Sequence, residues 1–130
     1  DDALANVLSI LRKIAKGRLI TVFGAGGNRD RTKRPRMGRK AAEFADLLIV
    51  TSDNPRNENP EAIIREIVAG IPEGTAYETE PDRRKAIRRA VELAGPGDVV
   101  LIAGKGHENY QEIAGKRYHL DDREVLKDLL

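Results

Sequence analysis

The stretch Leu47-Leu48-Ile49-Val50-Thr51-Ser52-Asp53-Asn54-Pro55-Arg56 passes from an aliphatic run straight into a polar loop. A short run without polar alternation is the pattern of a strand buried on both faces, as in a parallel sheet. Asn59-Pro60-Glu61 follows, a capping residue and then proline at the first helical position, which proline tolerates best. The reading is strand, loop, helix, and in open α/β sheets the loop at a strand's carboxyl end is where ligands bind. Pro55 fixes its own φ and pushes Asn54 towards extended geometry, so the loop is stiff. Such a loop can grip a small ligand carrying both charges: a carboxylate on Arg56, an ammonium on Asp53, either on Asn54. The same residue types also make an ordinary strand-to-helix turn with a local Asp–Arg pair.

Outward from this stretch the pattern repeats. Residues 2–16 place Leu4, Val7, Leu8, Leu11 and Ile14 at helical spacing. Residues 18–23 read as a strand, 24–35 as a glycine-rich and then basic loop, and 37–46 as a helix. Ile63, Ile64, Ile67 and Val68 form the apolar stripe of the helix that Asn59 caps. A weak strand at 76–79, a helix at 81–94 and an apolar strand at 98–103, expected to be buried on both faces, complete the alternation. Residues 110–113 and 116–119 flank Ala114-Gly115 as a hairpin or two short edge strands, and Asp121 or Asp122 caps a last helix. Strands alternating with helices predict a mostly parallel sheet with helices on both faces and a short antiparallel hairpin near the C-terminus.

The chain has 130 residues, 40% hydrophobic and 34% charged, as expected of one soluble globular domain over 1–130. It has no cysteine, which excludes disulfides and thiolate metal sites. His107 and His119 lack metal-ligand spacing. No run is long enough to span a membrane and no signal-peptide pattern opens the chain, so a cytoplasmic setting is expected. Net charge is +2, yet residues 29–40 concentrate Arg29, Arg31, Lys33, Arg34, Arg36, Arg39 and Lys40 around one acid, Asp30. That patch suits anions. Aromatic residues at 4% leave little to stack bases, so no nucleic acid is expected as partner. A second cluster, Arg83-Arg84-Lys85 with Arg88-Arg89, reads as the solvated face of its helix.

Three loops, 24–35, 52–58 and 104–109, leave carboxyl ends of strands and belong on one edge of the sheet. Gly24-Ala25-Gly26-Gly27-Asn28-Arg29 departs from the dinucleotide fingerprint, with arginine where glycine or alanine is needed and no acid ending the next strand. No phosphate-cradling GxxxxGK[ST] loop is present. In Gly104-Lys105-Gly106-His107-Glu108 the glycines let backbone approach a ligand and Glu108 supplies a carboxylate. His107 is a possible proton carrier or a structural histidine. Together the loops present Arg29, Asn54 and Arg56 for carboxylates and Asp53 and Glu108 for ammonium groups, which suits an amino acid with more than one charged end.

Val22-Phe23-Gly24-Ala25-Gly26-Gly27-Asn28-Arg29-Asp30, Lys33-Arg34-Pro35, Asp53-Asn54-Pro55-Arg56 and Ala103-Gly104-Lys105-Gly106-His107-Glu108 make the chain resemble, over nearly its whole length, the C-terminal domain of the Mur ligase family, in its diaminopimelate-adding branch. The resemblance implies a Rossmann-like domain that holds the incoming amino acid, meso-diaminopimelate. The parent enzyme joins it to a UDP-N-acetylmuramoyl-dipeptide in peptidoglycan synthesis, using ATP and Mg²⁺ and an acyl-phosphate intermediate. Asn54 and Arg56 are implied to hold the ligand's distal end, with Arg29 on a carboxylate, Gly104 in contact through backbone, Glu108 accepting from an ammonium and Asp53 orienting Arg56. No catalytic residue and no metal ligand is implied here. Asn28 stands where the family often has aspartate. The chain starts just after the family's Asp-Tyr-Ala-His-x-Pro linker, so the substrate and ATPase domains are expected to be absent, and the chain to be an excised or redesigned domain that does not ligate alone. The alternative is an excised or engineered α/β scaffold with no binding activity of its own.

Overall fold

The computed structural model describes residues 2–105 and 108–130. In chain order the elements are α1 (Asp2–Ile14), β1 (Leu19–Phe23), α2 (Lys33–Phe44), β2 (Leu47–Val50), α3 (Pro60–Val68), β3 (Tyr77–Thr79), α4 (Arg83–Leu93), β4 (Val99–Ile102), β5 (Tyr110–Ile113), β6 (Lys116–His119) and α5 (Asp122–Leu129). Four strands form one parallel sheet in the order β3-β2-β1-β4, and β5 and β6 form a separate antiparallel pair. The expected architecture is therefore the observed one.

Successive side chains on a strand point to opposite faces, so each inner strand feeds two cores. Leu19 and Phe23 of β1 join Leu48 and Val50 of β2 under Leu8, Ala41, Ile63, Ile64 and Ile67 from α1, α2 and α3. Ile20, Val22 and Ile49 face the other way, onto Ala86, Ile87 and Ala90 of α4 and Val125 of α5. The uninterrupted aliphatic runs exist because both faces are covered.

Three expectations need correction. β4 is an edge strand and is only half-buried along its length; an apolar run does not reveal whether a neighbour lies on both sides. On α1, Leu8 is fully buried, but Val7 and Ile14 are 43% and 66% exposed, with Ile10 beside them. And α2 begins at Lys33, within the presumed loop, because Pro35 falls in its first turn, where no helical N–H bond is lost.

The strand order reverses between β1 and β4, since β1 leads to β2 on one side while β3 leads to β4 on the other. The loops after β1 and β4 part there and leave a crevice at the strands' carboxyl edge. The β5–β6 hairpin turns through Ala114 and Gly115, both at positive φ as a tight hairpin requires. It docks on the β2 loop: Arg56 N–H donates to Glu112 O (2.8 Å) and Ala114 N–H to Arg56 O (2.6 Å).

Candidate functional site

The loop after β1 rests on the loop after β2. Gly27 N–H donates to Asn54 O at 2.7 Å. A Cβ on Gly27 would lie 1.8 Å from Pro55 O, so only glycine permits this contact. Gly26 plays a second part. A Cβ there would stand 2.9 Å from Nη1 of Arg56 and 3.5 Å from Cγ of Arg29. The two arginines thus meet over a residue with no side chain. Arg56 holds φ at 53°, a left-handed conformation rare outside glycine, and its backbone is fixed on both sides by the hairpin. Its Nη1 donates to Gly27 O (3.0 Å) and Asn54 O (3.4 Å).

Asn54 is 1% exposed. Its Oδ1 accepts from Glu112 N–H at 2.8 Å, and its Nδ2 donates to Glu108 Oε1 at 3.1 Å. Asn54 therefore fastens the third loop to the second and aims Glu108. Gly104 faces Asp53, whose Oδ2 lies 3.7 Å from where a Cβ would be. Arg29, Asn54, Arg56, Gly104, Glu108 and Asp53 are all on the one sheet edge, in contacts that run from loop to loop.

Asp53 does not do what was expected of it. Its charged neighbour is Lys105, with Nζ–Oδ1 at 3.8 Å, and Arg56 bonds to carbonyl oxygens instead. The hairpin turns Arg56 toward the glycine loop, while Asp53 points under Gly104. Asp53 Oδ1 is buried and accepts no hydrogen bond among the described residues. Burial raises the Asp53 carboxyl above its ordinary value, against the opposing pull of Arg83 and Lys105. Lys105 is 3% exposed and donates to Tyr110 O, so it belongs to the floor rather than to the ligand-facing rim. Burial lowers its pKa, with Asp53 opposing. The expectation for His107 lies outside the described residues.

A cavity of about 780 Å³ opens in the crevice between β1 and β4. Leu4, Val7, Phe23, Met37 and Leu101 supply apolar wall, and Arg29, Lys33 and Gly104 rim it. Of the six candidate residues, Arg29 and Gly104 line this cavity, and Asp53, Asn54, Arg56 and Glu108 are not part of its wall.

Two buried arginines escaped the sequence reading. Arg83, placed on a solvated face, is 1% exposed. It donates to Ser52 O (2.9 Å), to Ala103 O (3.0 Å) and, through Nε and Nη2, to both oxygens of Asp122 at 2.8 Å. Arg34 is 2% exposed; it binds both Glu58 oxygens, Glu66 and Gly26 O. Arg31 also pairs with Glu66, and Lys40 with Glu43. Arg31, Arg34 and Lys40 of the basic segment are thus paired with acids within the fold, while Arg29 and Lys33 face the cavity.

Parallel strands, a switch-point crevice and loops rich in glycine and arginine define an α/β domain of the Rossmann-like kind, with its candidate site at the sheet's carboxyl edge. Residues 1–106 match the family described as "Mur ligase, glutamate ligase domain", and the chain belongs to that family. Its relatives narrow the branch. The chain is 57% identical over 129 residues to the UDP-N-acetylmuramoyl-L-alanyl-D-glutamate–2,6-diaminopimelate ligase of Aquifex aeolicus, covering 99% of this chain and 27% of that protein. The ligase of the same name from Gloeobacter violaceus is also 57% identical, with 99% and 26% covered. A solved structure of an enzyme with this name superposes with a TM-score of 0.94 at 47% identity, over 98% of this chain and 26% of that one. The chain spans about a quarter of the length of these relatives.

Proposed function

We propose that this chain, one domain over residues 1–130, is the amino-acid-binding domain of a cytoplasmic ATP-dependent ligase that adds meso-diaminopimelate to a UDP-N-acetylmuramoyl-dipeptide. The observation that carries the reading is the meeting of Arg29 and Arg56 over Gly26, beside a Glu108 that Asn54 holds in place. Two cations flanking Gly26 and one carboxylate on the neighbouring loop suit the two charges of one amino-acid end: carboxylate on the arginines, ammonium on Glu108. Gly104 lets the ligand pass close to backbone. Asp53 sits beneath as a buried counter-charge to Lys105 and Arg83. The rest of the ligand then extends over β1 into the cavity, toward the second reactant. What this domain contributes to ligation is position: it presents an amine in a fixed direction.

ATP and Mg²⁺, which such a ligation requires, do not fit the residues present. The glycine loop is filled by Pro55 and its Gly27 N–H is spent on Asn54, so it offers no cradle to phosphate. Among the described residues no group of three or more acids and histidines gathers as a metal site would. Nucleotide and dipeptide belong to other parts of a longer protein. No helix among the described residues is long and apolar enough to cross a membrane.

Lysine is the informative competitor, because it lacks only the distal carboxylate. A hydrogen bond to a charged group contributes about 1.5–3 kcal/mol, or roughly 10- to 100-fold in affinity. Arg56 is half-buried and Arg29 exposed, so the lower part of that range applies to this domain by itself. An NMR titration tests the reading: meso-diaminopimelate shifts the Arg29, Arg56 and Glu108 signals and lysine does so only at much higher concentration. Equal responses to both ligands would refute it. The alternative, a domain that binds nothing alone, has one observation in its favour. Val7 walls the cavity yet is 43% exposed, so part of that wall is open to solvent. Absence of any response to either ligand selects that alternative.

A further inference from the structure

The two loops that carry Asn54 and Glu108 leave strands that are not neighbours. β1 lies between β2 and β4, so no ladder bond fixes the distance from one loop to the other. Asn54 and Lys105 reach across within the loops themselves, and at the loops' roots a side chain from α4 spans the gap. Arg83 donates Nη1–H to Ser52 O and Nη2–H to Ala103 O, at 2.9 and 3.0 Å. Ser52 immediately precedes Asp53 and Asn54; Ala103 immediately precedes Gly104 and Lys105. A planar guanidinium is a rigid fork, so two carbonyls on its two nitrogens are held at one separation. The fork is held in turn by Asp122, which engages Nε and Nη2 at 2.8 Å, and the Arg83 side chain is sealed from solvent.

We propose that Arg83 is a positioning residue for the amino-acid site, setting the spacing between the Asn54 loop and the Glu108 loop and so the geometry in which a ligand's ammonium and carboxylate are met. This rests on the amino-acid reading above. Arg83 touches no ligand in it. Its effect passes through two backbone carbonyls, and its charge is also the strongest of those that favour the ionised form of Asp53. Lysine in its place keeps the buried charge but lacks the planar fork that holds the two carbonyls at one separation.

The test compares Arg83→Lys, Arg83→Met and, as a control on the same helix, Ile87→Val. Ile87 is fully buried and contacts neither loop's backbone through a hydrogen bond, so its truncation lowers stability without moving the loops. Affinity for meso-diaminopimelate is measured by titration well below each variant's melting temperature. A second readout needs no ligand: the side-chain amide signals of Asn54, whose Nδ2 bonds Glu108. The expected result is a loss of about 10- to 100-fold for Arg83→Met, as for a misplacement of roughly 1 Å. Arg83→Lys is intermediate and Ile87→Val unchanged, and the Asn54 amide signals move in both Arg83 variants. Unchanged affinity in folded Arg83→Lys overturns the proposal, as does an equal loss in Ile87→Val. If the unsubstituted protein does not bind meso-diaminopimelate, the amino-acid reading fails, and the Asn54 signals alone decide whether Arg83 sets the loops. Should Arg83→Met not fold, Arg83→Lys and Asp122→Asn carry the comparison.

Discussion

Arg34→Met removes a cation that is 2% exposed and bound to two carboxylates at once. Methionine keeps most of the stem's packing, so what is lost is the charge and four hydrogen bonds, to Glu58, Glu66 and Gly26 O. Breaking a buried pair costs about 3–5 kcal/mol when it strands the partner. Glu58 and Glu66 each keep about a quarter of their side-chain surface in water, so they rehydrate, and Arg31 still reaches Glu66. The lower end, about 3 kcal/mol, follows, or roughly 10 °C in melting temperature for a chain of this size. The loss depends on pH in a determined direction. Hydrogen bonds from Arg34 and from Asn28 N–H hold Glu58 at about 2, against its ordinary 4.5. A carboxylate with a depressed folded pKa contributes stability that is fully present above its unfolded value and disappears as pH falls through the folded one. The gap between the unsubstituted protein and Arg34→Met therefore narrows steadily from about pH 4.5 toward about pH 2. Urea unfolding at pH 7 and pH 3 measures it. A gap under about 1 kcal/mol at pH 7, or one equal at both pH values, refutes the reading of Arg34 and Glu58 as a stabilising buried pair.

Gly27→Ala places a methyl 1.8 Å from Pro55 O, so the two loops must part; a loss of about 2–4 kcal/mol in denaturant unfolding is expected, and one below 1 refutes the close approach. Arg56→Met should erase most of the preference for meso-diaminopimelate over lysine while changing lysine affinity less than about threefold, read by competitive titration. Glu108→Gln should weaken both ligands alike, since both carry an ammonium at the site, by about tenfold; an effect confined to one of them contradicts the role given to Glu108. Asn59→Ala removes the side-chain acceptor for Glu61 and Ala62 N–H at the start of α3, for about 1 kcal/mol by thermal unfolding.

The parallel sheet was legible because Leu47-Leu48-Ile49-Val50 and its counterparts lack the alternation that a half-solvated strand needs. The placement of the candidate residues was legible at the level of loops, since chain alternation alone puts Asp53, Asn54, Arg56, Gly104 and Glu108 on one edge. Side-chain assignment inside those loops was not. Asp53 and Arg56 are three residues apart and look like a pair, but Arg56 is captured by the β5–β6 hairpin more than fifty residues on, and no local pattern announces such a contact. Asn54 reads in the sequence as a ligand contact; the fold also gives each end of its amide a partner within the protein, Glu112 and Glu108, which no local pattern announces. The solvent side of α1 was misjudged because Val7 and Ile14 share helical spacing with Leu4 and Leu11, and spacing alone does not say where the covering sheet stops.

The buried arginines had a signal that hydropathy does not carry. In a strand–helix–strand crossover the helix begins at the carboxyl edge of the sheet, where the site loops are. A cation in the first turn opposes the helix dipole, and neither α2 nor α4 places an acid there to offset it. Arg34 is the second residue of α2 and Arg83 the first of α4. Each stands against the dipole at the sheet edge that holds the ligand loops, and each is sealed there by carbonyl and carboxylate acceptors from those loops and nearby helices. Arg88, further along α4, is exposed, and so is Arg84, which follows Arg83 in the same turn. The first turn brings an arginine to the sheet edge, and the side of the helix it stands on then decides whether it is sealed against the loops, as Arg34 and Arg83 are, or faces water, as Arg36 and Arg84 do.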